Sequence, residues 1–268
     1  MKECFEIEIQ NKSVLGIMHY NSQRISSADE ISCIVVCYGF NGDRVDQHRI
    51  LHYFSNYISN TNSLCVRFDY RNHGLSGGRF MYASFEEKCQ DVVAVIAWLR
   101  ERFPNKRVRI CLLGFSDGAK IVMEVYLKYQ CSISQIILWN PVLSLSQTEN
   151  RMRNHDKMKE NRKMVLHPVT RKPVIRFLGL WVNPSLMRAI QNDNYIGSLI
   201  TCDLPLAIFW GGNDIKTFDV RQTINQHQLC EKIHQYVVIG ADHLFSDDKA
   251  KDELFEKTMQ FTCTSGIR

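Results

Sequence analysis

Apolar side chains recur at every second position near the start of the chain, at Phe5, Ile7 and Ile9, and a second apolar stretch runs from Val14 to Met18. This pattern predicts two half-buried strands, and the polar Asn11-Lys12-Ser13 between them predicts an antiparallel hairpin. Residues 22–32 are polar and read as a loop. Beyond them the pattern changes. Residues 32–37, 63–69, 108–113, 135–139, 204–210 and 235–239 are short, largely apolar runs, the signature of strands covered on both faces of a sheet. Residues 45–59, 84–102, 117–129, 220–230 and 249–261, which alternate with them, carry apolar side chains at helical spacing. Ser84 with Glu87 three positions on makes a capping box for the longest of these helices.

Strand–helix alternation with apolar strands predicts an α/β fold: a mostly parallel central sheet with helices on both faces. Sites in such sheets lie at the carboxyl ends of the strands. Residues 144–200 break the alternation and are too long for a plain connection. They open with a basic run from Arg151-Met152-Arg153 to Arg162-Lys163, continue through Arg171-Lys172 and Arg176, and turn apolar at Phe177-Leu178-Gly179-Leu180-Trp181-Val182. The expectation is a core made of residues 1–143 and 201–268, with residues 144–200 inserted over the strand ends as a helical lid.

Composition narrows the classes. With 268 residues and 45% hydrophobic content, one large core is sufficient. A net charge of +5 without interleaved basic and aromatic residues does not point to nucleic acid. No run reaches the length of a membrane span, and the opening Met1-Lys2-Glu3-Cys4-Phe5-Glu6 has no apolar leader, so a cytoplasmic setting is expected. The ten cysteines fall mostly in apolar runs, as at Cys33, Cys37, Cys65 and Cys111, with no C-x-x-C pair. They read as buried thiols in a reducing compartment, not as zinc ligands or disulfides.

The chemistry gathers at strand ends. Gly114-Phe115-Ser116-Asp117-Gly118 follows a predicted strand and opens a predicted helix, the setting of a nucleophile elbow. A serine on so sharp a bend needs small neighbours two positions before and after it. The plain alternative is an ordinary turn with Ser116 as a cap. A hydroxyl needs a base, and later strand ends supply an acid and a histidine: Gly211-Gly212-Asn213-Asp214 and Gly240-Ala241-Asp242-His243. Chain order is therefore Ser116, Asp214, His243, with His243 as general base and acid and Asp214 orienting its ring. Asp242 is a rival acid, disfavoured by being adjacent to His243, and Asp219 is a further one. His19, His48, His52, His73, His155, His167, His227 and His234 lack a strand-end position in that order. The developing oxyanion needs donors. The backbone N–H groups of Asp117 and Phe40 are the candidates, with Gly39 allowing close approach in Tyr38-Gly39-Phe40-Asn41-Gly42. Tyr38, Gly39 and Trp181 are the candidate substrate contacts.

Tyr38-Gly39-Phe40, Asp69-Tyr70-Arg71-Asn72-His73-Gly74-Leu75-Ser76, Gly114-Phe115-Ser116-Asp117-Gly118 and Gly240-Ala241-Asp242-His243 together resemble the α/β-hydrolase superfamily over nearly the whole chain. Within it the chain resembles the branch of serine-aminopeptidase-like lipases, feruloyl esterases and acyl thioesterases. The resemblance implies that Ser116, Asp214 and His243 are catalytic and that Phe40 and Asp117 form the oxyanion hole. Four features depart from the family pattern: Tyr38 stands where His is usual, Asn72 where Gly is common, Asp117 places a carboxylate beside the nucleophile, and Ala119 replaces the second of two glycines that usually follow.

The expected function is a serine hydrolase that cleaves a carboxylic ester or thioester through an acyl-serine, with no metal or organic cofactor. The basic run is either a solvated face or an attractor for an anionic carrier such as coenzyme A or an acyl-carrier protein. An acyltransferase or cyclase using the same acyl-enzyme, and a non-catalytic binding protein retaining the fold, are the alternatives.

Overall fold

The computed structural model describes residues 1–129, 131–144, 164–192, 194–227 and 233–264. Strands β1 (Lys2–Ile9) and β2 (Lys12–His19) form the expected hairpin. Gln10 and Asn11 turn it with φ of 51° and 61°. Positive φ at both central positions is the two-residue geometry that matches strand twist. The polar stretch after it holds a short helix, α1 (Ser22–Ser27), capped by Asn21, whose side chain accepts from the Arg24 N–H at 3.2 Å.

The alternating core follows: β3 (Glu30–Cys37), α2 (Ile50–Ile58), β4 (Ser63–Phe68), α3 (Phe85–Arg102), β5 (Arg107–Phe115), α4 (Gly118–Lys128) and β6 (Ile133–Trp139). After the insertion come β10 (Leu206–Gly211), α7 (Phe218–Asn225), β11 (Ile233–Val238) and α8 (Asp248–Thr264). One eight-stranded sheet runs in the order β1-β2-β4-β3-β5-β6-β10-β11. Its first two strands pair antiparallel, and β2 pairs antiparallel with β4. Every pair from β4 to β11 is parallel. The central strands are apolar because helices cover both their faces; Val35, Val36, Leu112, Leu113, Ile136 and Ile137 are fully buried. Burial of that kind stabilises by roughly 1.5–3 kcal/mol per side chain. Strand order reverses between β3 and β5, and the loops at that crossing carry the site.

Two helical starts are worth noting. Ser84 accepts from the Glu87 N–H at 3.1 Å and so caps α3 as its sequence implies. The helix expected from residue 45 begins only at Ile50, because Asp46, His48 and Arg49 have φ of 56°, 51° and 56°. No helix among the described residues is long and apolar enough to cross a membrane.

The insertion departs from the helical expectation. Its described part contains β7 (Met164–Leu166), β8 (Pro173–Phe177) and β9 (Leu180–Val182), a small antiparallel sheet, before α5 (Pro184–Asn192) and α6 (Ile196–Ile200). The reason is local. Val174 and Ile175 are β-branched, and Leu178-Gly179 turns the chain with φ of 50° and 77°. Arg171, Lys172 and Arg176 thus belong to a ribbon and its turn. The basic run from residue 151 to 163 lies outside the described residues. A second apolar cluster, with Phe40, Val182, Leu186, Met187 and Ile190, joins the insertion to the loop after β3.

Candidate active site

Ser116 follows the last residue of β5 and has φ of 56°. A left-handed conformation costs a non-glycine residue on the order of 1–2 kcal/mol and persists only where the surroundings enforce it. Here they do. The Ser116 N–H donates to the Trp139 carbonyl at 3.0 Å, and its own carbonyl accepts from Ala119 and Val142 at 3.2 Å and 3.1 Å. A Cβ on Gly114 would stand 2.7 Å from the Ala119 Cα, and one on Gly118 would collide with the carbonyl oxygen of Cys37. The two glycines let helix α4 start hard against β3 and β5, and that contact fixes the bend.

The bend delivers the hydroxyl to a histidine 127 positions away. Ser116 Oγ lies 2.9 Å from His243 Nε2, and His243 Nδ1 lies 2.8 Å from Asp214 Oδ2. A carboxylate at Nδ1 keeps the proton there, so Nε2 faces Ser116 as the acceptor. Asp214 follows β10; His243 lies in the loop between β11 and α8. Burial works to raise the Asp214 pKa. The hydrogen bond and charge of His243 and the donors of Thr217 and Lys216 outweigh it, and hold this carboxyl below its ordinary value. Thr217 Oγ1 donates to Asp214 Oδ2 at 2.5 Å and the Lys216 N–H donates to Oδ1 at 2.8 Å.

The rival acid has another task. Asp242 accepts from the N–H groups of Leu244 and Ser246 at 3.1 Å and 2.9 Å and from the Ser246 hydroxyl at 2.7 Å, so it builds the turn that presents His243. Asp219 sits in the first turn of α7.

A cavity of about 550 Å³ opens over Ser116 and His243. The loop after β3, with Gly39 and Phe40, forms one wall; Phe177 and Leu178 of the insertion, and Met187 and Ile190 of α5, form another. Gly39 packs so close that a Cβ there would stand 3.3 Å from the Ser116 Cβ. The described walls also carry Asp43, Asp46, Asp117 and Lys216. Burial pushes Asp46 up to about 6. Burial likewise raises Asp117, against the pull of Lys120, Lys88, His243 and Lys216.

Two candidate contacts lie elsewhere. Tyr38 is fully buried beneath the loop, its hydroxyl accepting from the Tyr70 N–H at 3.0 Å. It supports the wall without being part of it. Trp181 does not line the cavity. Strand alternation in β9 turns Val182 into the apolar cluster, while the Trp181 ring meets His167 at 5.3 Å and the Arg176 guanidinium at 5.4 Å. Phe177 and Leu178 take the place expected of Trp181.

The Asp69 loop is a brace. Asp69 accepts from the N–H groups of Arg44 and Leu75, both at 2.8 Å, and pairs with the Arg44 guanidinium. Buried Arg71 pairs with buried Asp91 at 2.5 Å. Asn72 has φ of 69°, a conformation asparagine tolerates, which explains how it stands where relatives of this pattern carry glycine.

Sequence reasoning missed Asn140. Its amide donates to the carbonyls of Asp242 and His243 at 3.1 Å and 3.0 Å, and its Oδ1 accepts from the Gly211 N–H at 2.6 Å. The available signal was its place at the end of β6, before Pro141.

Comparison with known proteins agrees with this architecture. The family model described as "Serine aminopeptidase, S33" matches residues 32–258. Among curated proteins, none matches this chain. Est1E from Butyrivibrio proteoclasticus, solved with ferulic acid bound, is similar with a TM-score of 0.74 and 14% identity over 98% of this chain and all of that one. The Pyrococcus furiosus esterase Pf2001 is similar with a TM-score of 0.68 and 19% identity over 97% and 90% of the two chains. A putative hydrolase from Agrobacterium vitis S4 is similar at 0.67 and 15% over 97% and 98%. At these identities the likeness is one of fold, whereas the family match spans most of the chain. The chain therefore belongs to the S33 serine aminopeptidase-like family of α/β hydrolases.

Proposed function

We propose that this hydrolase cleaves a carboxylic ester or thioester through an acyl intermediate on Ser116. The observation that carries the reading is the unbroken hydrogen-bond chain from Ser116 Oγ to His243 at 2.9 Å and from His243 to Asp214 at 2.8 Å, opening on a cavity. In the first step Ser116 Oγ attacks the substrate carbonyl carbon as His243 Nε2 takes the hydroxyl proton. The backbone N–H groups of Phe40 and Asp117 face the oxygen that becomes an oxyanion. The imidazolium, held by Asp214, then gives its proton to the leaving alcohol or thiol, and the acyl group stays on Ser116. Water repeats the sequence and releases the acid. Residues 164–192 act as the lid, supplying Phe177, Leu178, Met187 and Ile190 to the apolar side of the cavity. That wall suits an acyl or aryl group, and the described wall residues favour a neutral ester over an anionic carrier. The esterases among the similar folds support ester chemistry.

The test is turnover of a panel of neutral aryl and alkyl esters and thioesters, with mass spectrometry for an acylated Ser116. Ser116→Ala should abolish turnover and labelling by a fluorophosphonate while keeping the fold. Asp214→Asn should lower kcat by about 10⁴-fold. Turnover that survives in Ser116→Ala overturns the reading.

A further inference from the structure

Lys88 lies on the buried face of α3 and is 2% exposed. Its side chain reaches under the loop after β3. Nζ donates to the Phe40 carbonyl at 3.2 Å, 5.0 Å from the centre of the Tyr70 ring and 5.9 Å from that of Tyr38. Among the described residues no carboxylate forms an ion pair with it. An ammonium taken out of water in this way is costly, and a methionine would fill the space beneath two aromatic rings without that cost. Packing therefore gives no reason for a charge here.

The reason lies on either side of it. Phe40 supplies one proposed oxyanion donor, and Lys88 pins its carbonyl. Asp117 supplies the other, and brings a carboxylate whose Oδ1 is buried with no hydrogen-bond partner. A negative charge beside a forming oxyanion opposes the reaction unless a cation offsets it. Attraction to Asp117 is the largest of the interactions that favour the charged form of Lys88. We propose that Lys88 is a positioning residue of the oxyanion hole: its ammonium fixes Phe40 so that the N–H faces the substrate oxygen, and its charge, together with that of Lys120, offsets Asp117 while the oxyanion forms. The inference rests on the acyl-serine reading above.

The groups that face Lys88 are Tyr38, Tyr70, His73, Asp117, Cys37 and, on its own helix, Asp91 and Cys89. Burial holds His73 well below its ordinary value and pushes both tyrosines, Cys37 and Cys89 well up, so these five stay neutral. Burial also brings Lys88 down to about 8, which puts loss of its charge within the working range of an esterase.

The experiment measures kcat and KM for a neutral p-nitrophenyl ester from about pH 6.5 to about pH 9.5. It uses wild type, Lys88→Met, Lys88→Arg, Asp117→Asn and the Lys88→Met/Asp117→Asn double variant, with near-ultraviolet circular dichroism to show that each is folded. Wild type should lose kcat above about pH 8. Lys88→Met should lower kcat roughly ten- to a hundredfold with KM little changed, and should lack that alkaline limb. The same substitution should cost clearly less in the Asp117→Asn background. Lys88→Arg should keep more activity than Lys88→Met and carry no limb near pH 8. Wild-type kcat and an unchanged limb in folded Lys88→Met would overturn the inference, as would an equal loss in both backgrounds. Ser116→Ala is run alongside: if it still turns over, the acyl-serine reading fails; if it is dead while Lys88→Met is unaffected, only the role of Lys88 fails.

Discussion

The side-chain amide of Asn140 donates to the backbone carbonyl of His243 at 3.0 Å, so the end of β6 holds the loop that carries the imidazole. The same side chain accepts from Gly211, at the end of the strand that leads to Asp214. One buried amide thus sets the spacing between acid and base. Asn140→Ala should lower kcat roughly ten- to a hundredfold through misplacement of His243, with KM nearly unchanged. It should also lower stability by about 1–3 kcal/mol, because a buried N–H and two carbonyls lose their partner. Steady-state kinetics and a denaturation midpoint check both; unchanged kcat would show that the loop is held by other contacts.

Gly39 separates folding from catalysis. A Cβ there would stand 3.3 Å from the Ser116 Cβ and 3.6 Å from Ser116 Oγ, a tight but tolerable approach. Gly39→Ala should therefore fold with a midpoint close to wild type while losing kcat/KM by about tenfold or more, since the added methyl crowds the nucleophile. Gly118→Ala is the contrast. Its Cβ would collide with the backbone carbonyl of Cys37, which cannot swing away, so this variant should fail to fold. A stable, active Gly118→Ala would contradict the packing described for the elbow.

His19 makes stability fall in mild acid. It is fully buried at the end of β2, with Nε2 3.2 Å from Arg67 Nη2. Burial, then the Arg67 charge, brings its pKa down to about 4. The unfolded chain takes up a proton near pH 6.5 that the folded protein refuses until about pH 4, so stability is lost as pH falls through that window. The contribution is on the order of 3 kcal/mol. His19→Asn should flatten the acid side of the stability–pH curve measured by urea denaturation. An unchanged slope would mean that His19 does not titrate between the two states.

The buried thiols act on the alkaline side. Burial pushes Cys37, Cys65 and Cys111 up to about 12, and Cys33 and Cys89 further. The folded protein keeps these protons while an unfolded cysteine releases its own near pH 8.5, so stability falls as pH rises above about 8.5. Each thiol contributes about 1.4 kcal/mol per pH unit there. The double variant Cys65→Ala/Cys111→Ala should lose stability less steeply between about pH 8.5 and about pH 9.5 than wild type. Equal slopes would remove these thiols from the account.

The strand–helix alternation, the order Ser116, Asp214, His243 and the capped helix after Ser84 were all legible in the sequence. Each is written in local pattern: apolar strands between amphipathic helices, small residues around a bend, a serine three before a glutamate. Contacts between distant segments were not. The adjacency of Asp242 to His243 favoured Asp214 as the acid, but the contact itself, and the turn that Asp242 builds instead, depend on how β10 and β11 deliver their loops. Trp181 was expected as a substrate contact, but alternation along β9 turns Val182 inward instead. Nothing in the sequence singled out Lys88; only the packing of α3 beneath Phe40 makes it a buried cation. Periodicity records which side of an element is buried, because that repeats along the chain. It does not record which other element that side meets, and in this protein the grouping of Ser116, His243, Asn140 and Lys88 around one loop cluster was decided by the strand order of the open sheet and the packing of α3 against it.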